Sequence, residues 1–182
     1  MRRKDDTLRD TLLELCRETI EREGIEAVNI RSIAKKAGVA AGTVYNYFAS
    51  KDDILLALTE EYWRGALAEM ERAIPPGPFY RQLEEIFWFL RDRLHRSAGA
   101  LMGSLGRVEA AGQERMAAMQ GSLGKSLFSL LERDPGLRKD IWDETFTQEG
   151  FVQFVLTNMM ALWREEKPDP AMFFAVVRRI LY

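Results

Sequence analysis

Apolar residues recur three and four positions apart from one end of this chain to the other, and no stretch alternates apolar with polar as a half-buried strand must. Leu8, Leu12, Leu15, Cys16, Thr19 and Ile20 form one such stripe. Leu83, Ile86, Phe87, Leu90 and Leu94 form a second, and Phe151, Phe154, Val155, Asn158, Met159 and Leu162 a third. Met172, Phe173, Val176, Val177, Ile180 and Leu181 form the last. A stripe with this period has to be buried against another helix, so the chain reads as an all-α fold. Its 182 residues, 47% of them hydrophobic and only 6 proline, suffice for that core without a low-complexity tract.

The breaks between stripes set the organisation. The first helix is expected to open near Asp6 or Thr7, where Thr7 and Asp10 have capping-box spacing, and to end at Gly24. Asn29 suits the N-cap of a short second helix carrying Ile30, Ile33, Ala34 and Ala37. Gly38-Val39 makes a tight turn, and a third short helix follows from about Ala41 to Phe48. Ser50 and Asp53 repeat the capping-box spacing ahead of a long fourth helix running to about Ala73. Pro75-Pro76-Gly77-Pro78 is the strongest punctuation in the chain. Beyond it, helices are expected over about Ala98–Val108 and Gln113–Arg133, the latter stopped by Asp134-Pro135-Gly136. Asp169 caps the last helix and Pro170 opens it. Residues 1–52 thus form a small head, 53–78 a connecting helix and linker, and 79–182 a larger helical domain.

Two short helices joined by a glycine turn are what a helix-turn-helix requires. Small Ala34 and Ala37 let the third helix cross the second closely, and Val39 plugs the junction. At 100° per residue, Val44 and Phe48 form the inner edge of the third helix while Gly42 and Asn46 point away, flanked by Thr43, Tyr45 and Tyr47. That outer face is rich in hydrogen-bonding groups and free of carboxylates, which suits a major groove and its phosphates, and Lys51 just beyond can neutralise a phosphate. The net charge of −2 is unevenly spread. Ten basic and eight acidic side chains in residues 1–51 give +2, which leaves −4 for the rest. The sign suits a DNA-facing head on an acidic body.

The stretch from Gly24 to Lys51 resembles the DNA-binding segment of the tetracycline-repressor (TetR/AcrR) family, through Ile33-Ala34, Ala37-Gly38-Val39, Gly42, Tyr45, Tyr47-Phe48, Lys51 and Leu55 in the family's order and spacing. The resemblance covers roughly the first 60 residues. It implies that Arg31, Thr43, Tyr45, Asn46, Tyr47 and Lys51 contact double-stranded operator DNA, with backbone amides at Ala40, Ala41 and Gly42 meeting phosphates. Asn29 replaces the family's usual threonine and caps equally well; Ala40 replaces a frequent serine and loses a cap worth about 1 kcal/mol. The resemblance also implies a C-terminal helical domain for ligand binding and dimerisation, a homodimer joined through the last two helices, and repression relieved when a small molecule shifts the fourth helix.

The second domain is well supplied with Met and aromatic residues, most of which must be core, yet such a lining also suits a small apolar or aromatic effector. Phe87, Met102, Met116, Met119, Phe151 and Asn158 are the candidate lining. Asn158, polar on an apolar stripe, needs a ligand, a dimer-related residue or a backbone carbonyl as partner. Arg2, Arg3 and Lys4 read either as an arm reaching DNA or as a frayed terminus. One cysteine, Cys16, and one histidine, His95, supply neither a disulfide, a nucleophilic triad nor a metal set, and Glu109, Glu114, Asp140, Asp143 and Glu144 follow no ligand spacing. No enzyme activity, cofactor, metal or membrane span is expected, and the chain reads as cytoplasmic. The alternative reading is a DNA-associated protein of the same fold that acts mainly through protein partners.

Overall fold

The structure, a computed structural model, describes residues 6–97 and 110–182. Every regular element among them is helical: α1 (Asp6–Glu23), α2 (Ile30–Ala37), α3 (Ala41–Tyr45), α4 (Lys51–Ala73), α5 (Phe79–Ser97), α6 (Ala110–Glu132), α7 (Gln148–Trp163) and α8 (Ala171–Leu181), with one 3-10 turn at Ile25–Ala27. Arg2, Arg3, Lys4, Met102, Glu109 and the helix expected over 98–108 lie outside the described residues, as do the side chains of His95, Glu114 and Met116.

The described residues gather into two compact units, one of residues 6–63, 97 and 110–115 and the other of residues 64–96 and 116–182. Along α4 the division falls between Trp63 and Arg64, inside the segment 53–78 expected to connect the head to the larger domain. The reason is where side chains are buried. Ile54, Ala57 and Leu58, at the start of α4, complete the core of the first unit with Leu12, Leu13, Cys16, Val28, Ile33, Val44 and Phe48. Pro75–Pro78 reverses the chain within the second unit, where the Gln82 side-chain amide donates to the Pro75 carbonyl at 2.9 Å. A proline-glycine turn ends a helix without ending a core.

In the first unit, local chemistry fixes each helix end. α1 is helical from Asp6, where the sequence expects it to open, with Thr7 in its first turn. The Gly24 amide donates to the Ile20 carbonyl at 3.0 Å, and its φ of +85° turns the chain away. Glu61 of α4 takes Arg17 at 3.0 Å and Arg9 at 3.6 Å, which fastens α4 to α1.

The second unit is held by contacts between distant positions. The Asp134 carboxylate, just past α6, accepts from the Phe79 amide at 2.7 Å, from the Gly136 amide at 2.8 Å and from the Tyr182 hydroxyl. One side chain thereby caps α5 and pins the last residue. Burial alone would raise the Asp134 pKa, but these three donors outweigh it and hold the carboxyl below its usual range. Trp163 Nε1 donates to the Phe87 carbonyl at 3.2 Å, which joins α7 to α5. In α8 the Asp169 carboxylate accepts from the Ala171 amide at 3.1 Å, as its capping position predicts, although regular helix begins after Pro170.

The α7 stripe faces differently from the sequence expectation. Its buried residues are Phe151, Val152, Val155, Leu156, Met159 and Trp163, while Phe154 is 45% exposed and Asn158 and Leu162 are half-buried. This helix is apolar around most of its circumference, so periodicity alone could not say which side turns inward.

Candidate nucleic-acid interface

The helix-turn-helix is built from its ends inward. The Asn29 side-chain oxygen accepts from the Ser32 amide at 2.8 Å and so caps α2. At the other end Gly38 takes φ +68°, ψ +26°, a left-handed conformation in which a side chain would be strained. The Val39 amide then reaches back to the Ala34 carbonyl at 3.0 Å and the Gly38 amide to that of Lys35 at 3.3 Å. These are the two bonds of a Schellman stop, and they aim the chain sharply into α3. Val39 packs against the core, as a plug at the junction should.

Regular α3 ends at Tyr45, three residues before the predicted end. Asn46 bonds back to Thr43 at 3.2 Å and Tyr47 to Val44 at 2.9 Å, so the final turn is tightened rather than extended. The next helix opens on the Ser50–Asp53 pair: the Asp53 amide donates to Ser50 Oγ at 3.2 Å, and the Asp53 carboxylate accepts from the Ala49 amide at 3.1 Å.

Around α3 the division into faces follows the 100° rule. Val44 is 0% and Phe48 2% exposed, whereas Tyr45 is 56% exposed and Gly42 and Asn46 are open to solvent. A Cβ built on Gly42 would meet nothing within 4 Å, so this spot is flat and unobstructed. Thr43 is half-buried on the flank. Tyr47 differs: it packs against the hydrophobic core, with only part of its surface outward. Arg31 is exposed on α2, and Ala40 leads into α3 with extended backbone and no side-chain cap, beside half-buried Ala41. Lys51 is engaged by Glu26, 2.9 Å from its Nζ, so a phosphate at Lys51 has to compete with a carboxylate. Sequence reasoning missed this pair because the partners are 25 residues apart. Lys36 is used within the unit as well, donating to Thr19 Oγ1 and Glu23, both at 2.8 Å. Its hydrogen bond holds the Glu23 carboxyl below the ordinary value.

The expected effector lining is dispersed in the second unit. Phe87 is buried among the rings of Trp88, Trp163 and Phe174. Phe151 belongs to a different cluster, with Trp142, Phe146 and Phe154. Met119 is buried, and Asn158 donates to the Phe154 carbonyl of its own helix at 2.8 Å. A backbone carbonyl is thus Asn158's partner. A cavity of about 430 Å³ lies elsewhere, lined by Met70 and Glu71 of α4 with Ile74 just past it, Gln82 and Ile86 of α5, and Lys125, Ser126, Ser129 and Leu130 of α6 with Arg133 just past it. The available signal was the spacing of those α6 residues, all on one helical face.

Burial pushes the Cys16 thiol up to about 12, which leaves it protonated and inert at neutral pH. Among the described residues no group of three His, Cys, Asp or Glu side chains could hold a metal ion, and no helix is long and apolar enough to cross a membrane.

Residues 12–58 match the sequence profile of bacterial regulatory proteins, tetR family. The head of the chain is similar to the tetR family. The matched span ends at Leu58, in the stretch of α4 that completes the core of the first unit. An HTH-type transcriptional regulator of Haemophilus influenzae is 30% identical over 97 residues, 50% of this chain and 52% of the relative. The fatty acid metabolism regulator protein of Bacillus subtilis is 38% identical over 63 residues, 35% of this chain and 32% of that protein. The chain spans about half or less of the length of these relatives. In fold, the described residues are similar to the crystal structure of the transcriptional regulator FadR from Bacillus subtilis in complex with stearoyl-CoA. That TM-score is 0.60 at 21% identity, covering 85% of this chain and 84% of the other.

Proposed function

We propose that this chain is a one-component transcriptional repressor of the tetR family: a homodimer that binds a palindromic operator through α2 and α3 and lets go when a small molecule occupies its second unit. The observation that carries the reading is the outer face of α3. Gly42, Tyr45 and Asn46 stand clear of the core with Thr43 at the edge, and no carboxylate occupies that face. An α-helix of this character fits a major groove, with hydroxyl, amide and phenol groups for base edges and phosphates.

Dimerisation supplies two such helices one DNA turn apart. The last two helices are suited to it. Phe154 on α7 and Met172 on α8 are 45% and 72% exposed, and Phe173, Val176 and Ile180 are only half-buried. Apolar faces of this breadth suit a four-helix seam with two helices from each subunit. Coupling to a ligand runs through α4, whose first residues belong to the core of the head and whose last residues line the cavity of the second unit. A ligand preferring the conformer that does not fit DNA lowers operator affinity by its differential binding, typically 1–3 kcal/mol. The curated relatives are themselves named as regulators, and a protein of this fold has been crystallised with a small molecule, which supports the same reading.

The test is in vitro selection of genomic fragments with the full chain, followed by titration of the best fragment against salt. Enrichment of a palindrome, with affinity falling steeply as salt rises, is the expected result. Recovery of fragments no different from the input pool would sink the proposal.

A further inference from the structure

The cavity at the end of α4 has a lining that an apolar effector would not need. Two cations border it, Lys125 on α6 and Arg133 just past its end, with a single carboxylate, Glu71, in the same lining. The lining therefore carries +1. Glu71 is already tied to the Ser126 hydroxyl at 3.0 Å, whereas neither Lys125 nor Arg133 has a hydrogen bond or ion pair among the described residues. A cation of this kind normally finds a carboxylate on a protein surface so rich in acids; two at one cavity mark a place where an anion is welcome. Gln82 adds a polar side chain to the lining; its amide nitrogen donates to the Pro75 carbonyl at 2.9 Å. Behind these polar groups the wall is aliphatic, made by Met70, Ile74, Ile86 and Leu130.

From this lining we infer that the effector is a small amphipathic organic acid, its carboxylate seated by Lys125 and Arg133 and its apolar body lying against the aliphatic wall. This rests on the regulator reading above and gives it a ligand class. The volume, about 430 Å³, suits a molecule with a short aliphatic chain or a single ring system. Charge and shape are divided in the manner of ligand sites generally, with few polar groups fixing orientation and an apolar surface supplying area. Because Met70 and Glu71 stand on the same helix that enters the head, occupancy of this cavity bears on α4 directly.

The experiment uses octanoate and its uncharged counterpart, octan-1-ol, as probes of the full chain in isothermal titration calorimetry without DNA. Saturable binding of octanoate is expected, at least about tenfold tighter than that of octan-1-ol, since a charge-assisted hydrogen bond distinguishes them. In the double variant K125Q/R133Q, octanoate should weaken to the level of octan-1-ol while octan-1-ol itself is unchanged. Both positions are solvent-exposed, so the variant should fold, and an unaltered thermal midpoint checks that. Equal affinity for the two probes in the native chain, no saturable octanoate binding, or octanoate binding that survives K125Q/R133Q would each overturn the inference. Operator selection stands apart: a chain that selects a palindrome but ignores octanoate loses only the ligand class, and one that binds octanoate but selects no DNA loses the regulator reading.

Discussion

The two units of this protein are held together in different ways. In the head, α2 is capped by Asn29 three residues from its partner, stopped by Gly38 one residue past its end, and α4 is opened by Ser50 three residues ahead of Asp53. In the second unit the decisive bonds span 48, 55 and 76 residues, from Asp134 to Tyr182, from Asp134 to Phe79 and from Trp163 to Phe87. A cap is a property of neighbours, so it can be read locally; a side chain that ties three helices is a property of the finished packing. The head must present one surface in one geometry, and local determinants deliver that. The second unit, proposed to bind a ligand, would gain from a looser specification, because cavities and alternative packings live where contacts are few and distant.

The largest expected effect breaks the head. Phe48 is 2% exposed in its core and lies under the Arg9 guanidinium, 5.7 Å from the ring centroid. Phe48→Ala should cost about 3–5 kcal/mol in chemical denaturation and abolish operator binding, because the α3 inner edge loses its anchor. A smaller loss would mean that the helix-turn-helix is held mainly by its caps.

The matching break in the second unit is Asp134→Asn, which weakens three hydrogen bonds at once and should cost about 1–3 kcal/mol. It also predicts a pH dependence. The folded carboxyl is held below its unfolded value, so its stabilisation is complete above the ordinary carboxylate pKa and disappears as pH falls through the lower folded value. Urea midpoints of the native chain should therefore drop on acidification below about pH 4, and the gap to the Asn variant should narrow there. A gap that stays constant with pH would show that the charge contributes nothing.

Tyr45→Ala sharpens the comparison by separating surface from core. Tyr45 is 56% exposed, so stability should change by less than about 0.5 kcal/mol, while operator affinity falls about tenfold. Tyr47→Ala is the poorer test, since Tyr47 packs on the head core and its loss would weaken the fold as well as the interface. Fluorescence anisotropy with a selected operator reads the affinity; unchanged binding would mean that the outward face has been misassigned.

The smallest effect is expected from Glu26→Gln. The Lys51–Glu26 pair joins a 32% exposed side chain to a 91% exposed one, so it adds little stability. Releasing Lys51 for a phosphate should raise operator affinity a few-fold, most visibly at low salt. An affinity that stays the same would place Lys51 outside the DNA contact.

By itself the sequence determined the helical class, the capped α2, the left-handed glycine and the inward Val44 and Phe48, because each depends on the backbone chemistry of residues within one turn of one another. It also marked the outward side of α3, the surface proposed to face DNA, since a short helix anchored by Val44 and followed by buried Phe48 leaves few ways to turn. Only the tertiary structure decided where one unit ends and the next begins. It put the division within α4, inside the connecting segment 53–78, because Ile54, Ala57 and Leu58 are buried in one core with residues of α1 and α3. Tertiary packing also turned α7 so that Phe154 faces solvent, dispersed Phe87 and Phe151 into separate ring clusters, and set Lys125 and Arg133 at one cavity. Periodicity names an apolar residue but not its neighbour; where a helix is apolar nearly all round, only the partners packed against it select the buried side.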